Sequence, residues 1–291
     1  HDPPVAVGVG LDLVDVLTRV TGEGFLYRVD LRLRPWGSSG PLVSSLGAYL
    51  AYLEKCARLW ERQALLKARL VVGDERARAA FVERTSALLF APGPDPRAEV
   101  RAMKHRIETQ LDASGAAWGE VKLGRGSIRD VEFVTQYLQL RHGAQFPELR
   151  SANTLAALAR LHARGLLAPD AHRALSEGYT FLRPVEHYLQ MMDHRQTHRL
   201  PADPREIEYL ARRLGFAGPG AGAEFLARYH QHGAAIRAVF DRYLGEEAAG
   251  AFAGDDDRVA PAIVAHVRRM APSYHATFGD DEIARHAEMV A

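Results

Sequence analysis

The sequence predicts a mainly α protein: a strand-containing N-terminal part followed by a helical domain. Three observations carry this. Apolar residues recur at three-four spacing over most of the chain, the mark of helices with one buried face. Residues 27–34 instead alternate apolar and charged side chains at period two, as a half-buried strand does. Between the parts, Ala91-Pro92-Gly93-Pro94-Asp95-Pro96 reads as a rigid linker and domain boundary.

In chain order, residues 5–20 are helical, with Leu11, Val14, Leu17 and Val20 on one stripe, and Thr21-Gly22-Glu23-Gly24 is a turn. The strand follows and stops at Pro35-Trp36-Gly37; residues 37–41 form a loop. One long helix is predicted over 45–72, with Leu50, Leu53, Ala57, Trp60 and Ala64 on its stripe and Gly73-Asp74 at its end. Further helices are predicted over 75–89, 97–111, 128–142, 151–164, 169–182, 185–192, 204–214 and 222–244, with a short strand over 120–123. Asp255-Asp256-Asp257 marks another break, and residues 282–291 have a helical pattern.

Composition excludes several classes. The 291 residues suffice for one large or two modest cores, and a net charge of +1 gives no field suited to nucleic acid. The single cysteine, Cys56, permits no internal disulfide and is expected in the core. No apolar run is long enough to span a membrane, and no signal-peptide pattern opens the chain, so a cytoplasmic protein without a membrane partner is expected. Both ends read as cuts in a longer polypeptide. None of the 13 histidines has a zinc-protease spacing; His194 and His198, four apart, are expected at the surface.

Three stretches hold candidate chemistry. On the 27–34 strand, Asp30, Arg32 and Arg34 share one face and Val29, Leu31 and Leu33 the other, toward a core. The polar face either holds a metal ion and phosphate oxygens or is a solvated row of ion pairs. Residues 122–133, Lys-Leu-Gly-Arg-Gly-Ser-Ile-Arg-Asp-Val-Glu-Phe, join a glycine-rich loop to a helix whose first N–H groups suit an anion, with Lys122 and Arg125 adding positive charge. The alternative is a plain helix start, with Ser127 as N-cap and Asp130 completing a capping box. Along that helix Glu132, Thr135, Gln136 and Gln139 form a polar stripe with Arg129 beside it. In the third stretch, residues 60–69, Lys67 emerges near the apolar stripe and either snorkels to water or serves a site; Glu61 and Arg62 read as a solvated pair.

These stretches, at 27–43, 60–69 and 122–133, together with Phe-Leu-Arg-Pro-Val-Glu-His-Tyr-Leu-Gln at 181–190, resemble the glutamine synthetase adenylyltransferase/deadenylylase family over residues 11–244. The resemblance implies the C-terminal part of a polymerase-β-like nucleotidyltransferase domain over 1–95, truncated and of α+β type. It then implies a helical-bundle domain of the adenylyltransferase/uridylyltransferase type over 96–250 and the start of a further helical segment over 251–291. Family members hold two Mg²⁺ ions on three carboxylates. Asp30 matches the third of these, as catalytic and metal-binding residue. Arg32, Arg34, Lys67, Lys122 and Arg129 are then nucleotide- or phosphate-binding candidates.

The Gly-Ser and Asp-x-Asp elements that supply the other two carboxylates do not precede residue 27. Asp12 and Asp15 lie in a helical pattern and do not replace them. The implied function is transfer of AMP from ATP to a tyrosine of glutamine synthetase, or its removal by phosphate, in nitrogen-assimilation control. Two alternatives stand beside it: a non-catalytic module that docks on glutamine synthetase or a PII-like protein, and a uridylyltransferase of a PII-like protein. Residues 261–291 resemble the region after the transferase core in that last enzyme.

Overall fold

The computed structural model describes residues 3–91, 93–193 and 197–245. Expectations for His194 and for the segment from residue 251 to the end, including its acidic break and its helix, lie outside the described residues. The chain divides into two compact units, one with residues up to Ser45 and the other spanning Leu46–Glu247.

In the first unit, α1 (Pro3–Thr18) is followed by a tight turn closed by a single bridge between Thr21 and Gly24. The predicted strand is absent. Residues 27–32 have no ladder partner among the described residues, and a strand requires one to satisfy its backbone. Its expected core face is not buried either: Leu31 and Leu33 are exposed. Asp12 and Asp15 both lie on α1, where Asp15 pairs with Arg19. The chain then reverses through Pro35 and Trp36, and a 3₁₀ turn covers Gly37–Ser39.

Among its described residues the second unit is built of helices, with no strand. The predicted 45–72 helix is broken into α2 (Leu46–Lys55) and α3 (Leu59–Leu65). Glu61 causes the break: its carboxylate accepts the Arg58 backbone N–H at 2.9 Å and the Tyr52 hydroxyl at 2.7 Å, so it caps a new helix and is not a solvated partner of Arg62. Cys56 falls in the gap and is exposed, not core.

Next come α4 (Glu75–Leu89), α5 (Arg97–Ala113), α6 (Ile128–His142) and α7 (Thr154–Ala163), followed by α8 (Pro169–Asp193), α9 (Pro204–Arg213) and α10 (Ala221–Leu244). Asp74, Asn153 and Asp203 cap α4, α7 and α9 through their side chains. α8 is one helix where two were predicted. Pro184 lies inside it and removes one N–H donor, which the packing of Leu182, Val185 and Leu189 into the core outweighs. The predicted 120–123 strand shrinks to one bridge between Glu120 and Arg199.

α6 is the central helix. Its apolar residues Val131, Val134, Tyr137 and Leu138 are buried in the main core with residues of α7, α8 and α10. Thr135, Gln136 and Gln139 of its polar stripe are buried too, Glu132 stays half-buried, and two of the buried members find partners inside. Gln139 donates to the carbonyls of Leu149 at 2.7 Å and Ser151 at 2.8 Å, and Thr135 donates to Val131 at 2.7 Å. A second core joins Val121, Val185, Leu189, Leu210 and Phe225 across α8, α9 and α10.

Candidate functional site

Two charged clusters flank the start of α6. The first is closed. Lys104 of α5 is about 1% exposed, and its Nζ lies 2.5 Å from Asp130 Oδ1 and 3.5 Å from Glu108 Oε1. It also donates to the carbonyls of Leu123 at 2.8 Å and Gly124 at 2.6 Å. Arg237 of α10 reaches Glu108 at 2.7 Å and Asp130 at 3.8 Å. Burial pushes the Asp130 carboxyl up, while Lys104, the Gly126 N–H and Arg237 pull it down.

This cluster decides what the glycine-rich loop does. Asp130 Oδ2 accepts the Gly126 N–H at 2.7 Å, and Ser127 Oγ donates to the Lys122 carbonyl at 2.7 Å; no capping box forms at Ser127. The Ile128 and Arg129 N–H groups bond the carbonyls of Val121 and Lys122 at 3.2 and 2.9 Å, so the predicted open anion cradle is filled by the chain itself. Gly126 has φ +66°, and a Cβ there would lie 2.1 Å from the Gly233 carbonyl oxygen of α10. Arg125 turns to Glu108 at 3.4 Å and Asp112 at 3.8 Å. With Trp118, Tyr229 and Arg237 it lines a cleft of about 360 Å³ whose charges pair with one another.

The second cluster is open. Lys67 from the 60–69 stretch and Lys122 and Arg129 from the 122–133 stretch meet here. Lys67 lies just past the end of α3, is exposed, and donates to Thr154 Oγ1, the first residue of α7, at 2.6 Å. Burial pushes its ammonium down, and nearby Arg183 and Arg129 push it further while Glu132 opposes. Lys122 reaches Glu186 Oε1 at 3.2 Å, and Arg129 reaches Glu132 Oε2 at 3.9 Å. Arg183 also pairs with Glu186. His198 lies 3.6 Å from Glu186, and burial with the Lys122 and Arg129 charges pushes it down toward the neutral form, so it is not a surface histidine.

Sequence reasoning missed Arg183 and Glu186, although both fall in the 181–190 stretch. The available signal is an Arg-x-x-Glu pair, one turn apart, in an otherwise apolar part of α8. Around Lys122, Glu120 accepts the Lys122 and Leu123 backbone N–H groups at 3.1 and 3.2 Å, with Arg199 opposing its charge.

The first unit behaves differently. Arg32 bonds both carboxylate oxygens of Asp30, at 2.7 to 3.1 Å, and its backbone N–H adds a bond of 3.0 Å. These contacts hold the Asp30 carboxyl down at about 2. Arg34 donates to the carbonyls of Leu31, Ser38 and Gly40 and so clamps the turn. Among the described residues no group of three His, Cys, Asp or Glu side chains converges as metal ligands. Asp30, paired with Arg32 and without a second carboxylate, does not by itself fit a divalent ion.

Residues 4–84 match the family model described as glutamate-ammonia ligase adenylyltransferase, and residues 97–244 match that of the GlnD PII-uridylyltransferase. Curated relatives agree. A bifunctional glutamine synthetase adenylyltransferase/adenylyl-removing enzyme of Burkholderia mallei is 36% identical over 88% of this chain and 28% of its own length. Enzymes of the same name from Hahella chejuensis and Mesorhizobium japonicum are 39% and 42% identical, over 76% and 72% of this chain and 23% and 22% of theirs.

The chain belongs to the glutamine synthetase adenylyltransferase family, with a helical part of the PII-uridylyltransferase type. It spans about a quarter of the length of the relatives it matches. Within this family member the open cluster draws on both matched regions, Lys67 from the first and Lys122, Arg129 and Arg183 from the second. No helix among the described residues is long and apolar enough to cross a membrane.

Proposed function

We propose that this chain is part of a nucleotidyltransferase that moves AMP between ATP and a tyrosine of glutamine synthetase. The single observation that carries the reading is the meeting of Lys67, Lys122 and Arg129 at one partly exposed site. In the forward direction the tyrosine hydroxyl gives its proton to solvent as its oxygen attacks the α-phosphorus, the bond to the β-phosphate oxygen breaks, and pyrophosphate leaves. In the reverse direction a phosphate oxygen attacks the same phosphorus, the tyrosine oxygen leaves with a proton, and ADP is released. Either way charge grows on phosphate oxygens, and fixed cations that meet it lower the barrier. Lys67, Lys122 and Arg129 are the nucleotide- and phosphate-binding residues in this reading. Asp30 is its metal carboxylate, with Arg32 and Arg34 beside it, and Mg²⁺ requires carboxylates beyond those described here.

The test uses the full-length protein with ATP, Mg²⁺ and glutamine synthetase, reading label transfer from AMP-labelled ATP and its phosphate-dependent release. The expected result is transfer or release that Asp30→Ala abolishes. Absence of both in the unmodified protein overturns the reading. The match of residues 97–244 to the uridylyltransferase model supports a second reading, UMP transfer to a PII-like protein. UTP with such a protein, in place of ATP with glutamine synthetase, separates the two. If neither substrate is modified yet glutamine synthetase still binds, the chain is a docking module.

A further inference from the structure

The charge balance of the open cluster identifies its ligand more closely than any motif does. Lys67, Lys122, Arg129 and Arg183 surround two acids, Glu132 and Glu186. Glu120 and Arg199 at the margin offset one another. His198 is pushed toward neutrality and adds no full charge. The site therefore holds an excess of two positive charges.

That excess is graded in depth: Lys67 is exposed and the Arg183 side chain is 50% exposed, over groups that lie deeper. The side chains of Lys122 and Arg129 are 30% and 32% exposed, and Glu186 is 5% exposed. Arg129 Nε is buried and has no hydrogen-bond partner, in contrast to the backbone N–H groups beside it. A buried donor left unpaired costs free energy, and an acceptor at that position removes the cost. Arg129 lies in the first turn of α6 and Thr154 begins α7, so the partial positive ends of two helices add to the same field.

Glu186 gives the cluster its geometry. One carboxylate holds Lys122 at 3.2 Å, lies 3.6 Å from His198, and pairs with Arg183. It fixes side chains that would otherwise repel one another and leave for water. Glu132 does the same for Arg129 at 3.9 Å.

We propose that the helical unit carries a preformed, metal-independent site for a phosphate dianion. Lys67, Lys122, Arg129 and Arg183 bind its oxygens, and Glu186 acts as a positioning residue. Arg183 is the added ligand. Its planar fork suits two phosphate oxygens at once, which a lysine cannot match. The inference deepens the reading above, since it shares three residues with it, but it needs neither Asp30 nor Mg²⁺.

The test is calorimetric titration of the whole chain with inorganic phosphate, and separately with AMP, without metal or glutamine synthetase. Saturable binding of either supports the site. Phosphate alone identifies a free-phosphate site, and AMP alone a nucleotide one. Arg183→Gln is expected to weaken binding about tenfold or more, while Arg242→Gln, which breaks a surface pair with Asp170, leaves it unchanged.

Glu186→Gln gives the sharper result. Removing a bystander acid raises the net positive charge and tightens anion binding; removing a positioning residue loosens it several-fold despite that gain. Tighter binding in Glu186→Gln overturns the positioning role. No saturation by either ligand, or equal affinity in Arg183→Gln, overturns the site. Circular dichroism of each variant confirms its fold. Because no transfer is measured, this result stands or falls apart from the AMP-transfer experiment.

Discussion

The two charged clusters at the start of α6 use the same residue types and do opposite things. In the Lys104–Asp130–Glu108–Arg237 cluster each charge has an opposite charge within 4 Å, and the two acids and Lys104 are almost wholly buried. In the Lys67–Lys122–Arg129–Arg183 cluster the cations outnumber the acids, and the side chains remain partly open. Balance and closure make the first a structural joint between α5, the loop and α10. Excess and access make the second a candidate binding site. A buried ion pair is poor evidence for function by itself; an uncompensated one is better evidence.

Removing Lys104 breaks the comparison most strongly. Lys104→Met leaves Asp130 and Glu108 buried beside fewer cations and is expected to cost about 3–5 kcal/mol in a denaturant titration. A loss below about 1 kcal/mol shows that the joint is not what holds the loop. Gly126→Ala comes next. It places a side chain at φ +66° and against the Gly233 carbonyl, with an expected cost of about 2–4 kcal/mol and a lower melting temperature.

Lys67→Met is expected to go the other way. Burial and like charges lower the Lys67 pKa in the folded protein, so the unfolded chain binds more protons in the window below the ordinary value of 10.5. Stability attributable to Lys67 therefore rises with pH through that window. Lys67 is exposed and solvent screens its charge, so removing it is expected to leave stability unchanged or slightly raised near neutral pH, and to flatten that rise. A large loss places Lys67 with Lys104 as a structural cation.

The smallest effect is expected at Asp30. Its carboxyl is held down at about 2 by Arg32, so its contribution is full above the ordinary carboxylate value of 3.8 and disappears as pH falls through about 2. The pair is exposed, so Asp30→Asn is expected to cost under about 1 kcal/mol at neutral pH and nothing below about pH 2. Urea denaturation at the two pH values measures this.

Much of the helical unit was legible in the sequence because helix starts and periodic apolar faces are local. The 75–89 and 128–142 helices fall on the predicted residues, as does the end of α10 at Leu244. The break before α3 was not legible, because it depends on where the Glu61 side chain folds back. Residues 27–32 show the converse: alternation describes a strand's faces, but pairing makes the strand, and pairing is not local.

By itself the sequence determined the helical class, most helix positions, the family and three of the cations of the open cluster. Only the tertiary structure decided which charges meet. It sent Arg125 and Asp130 inward to Glu108 and Lys104, and it brought Lys67, Lys122 and Arg129 to Arg183 and Glu186. The physical reason is that charge balance belongs to a place in space, and residues far apart in the chain share a place only after helices pack.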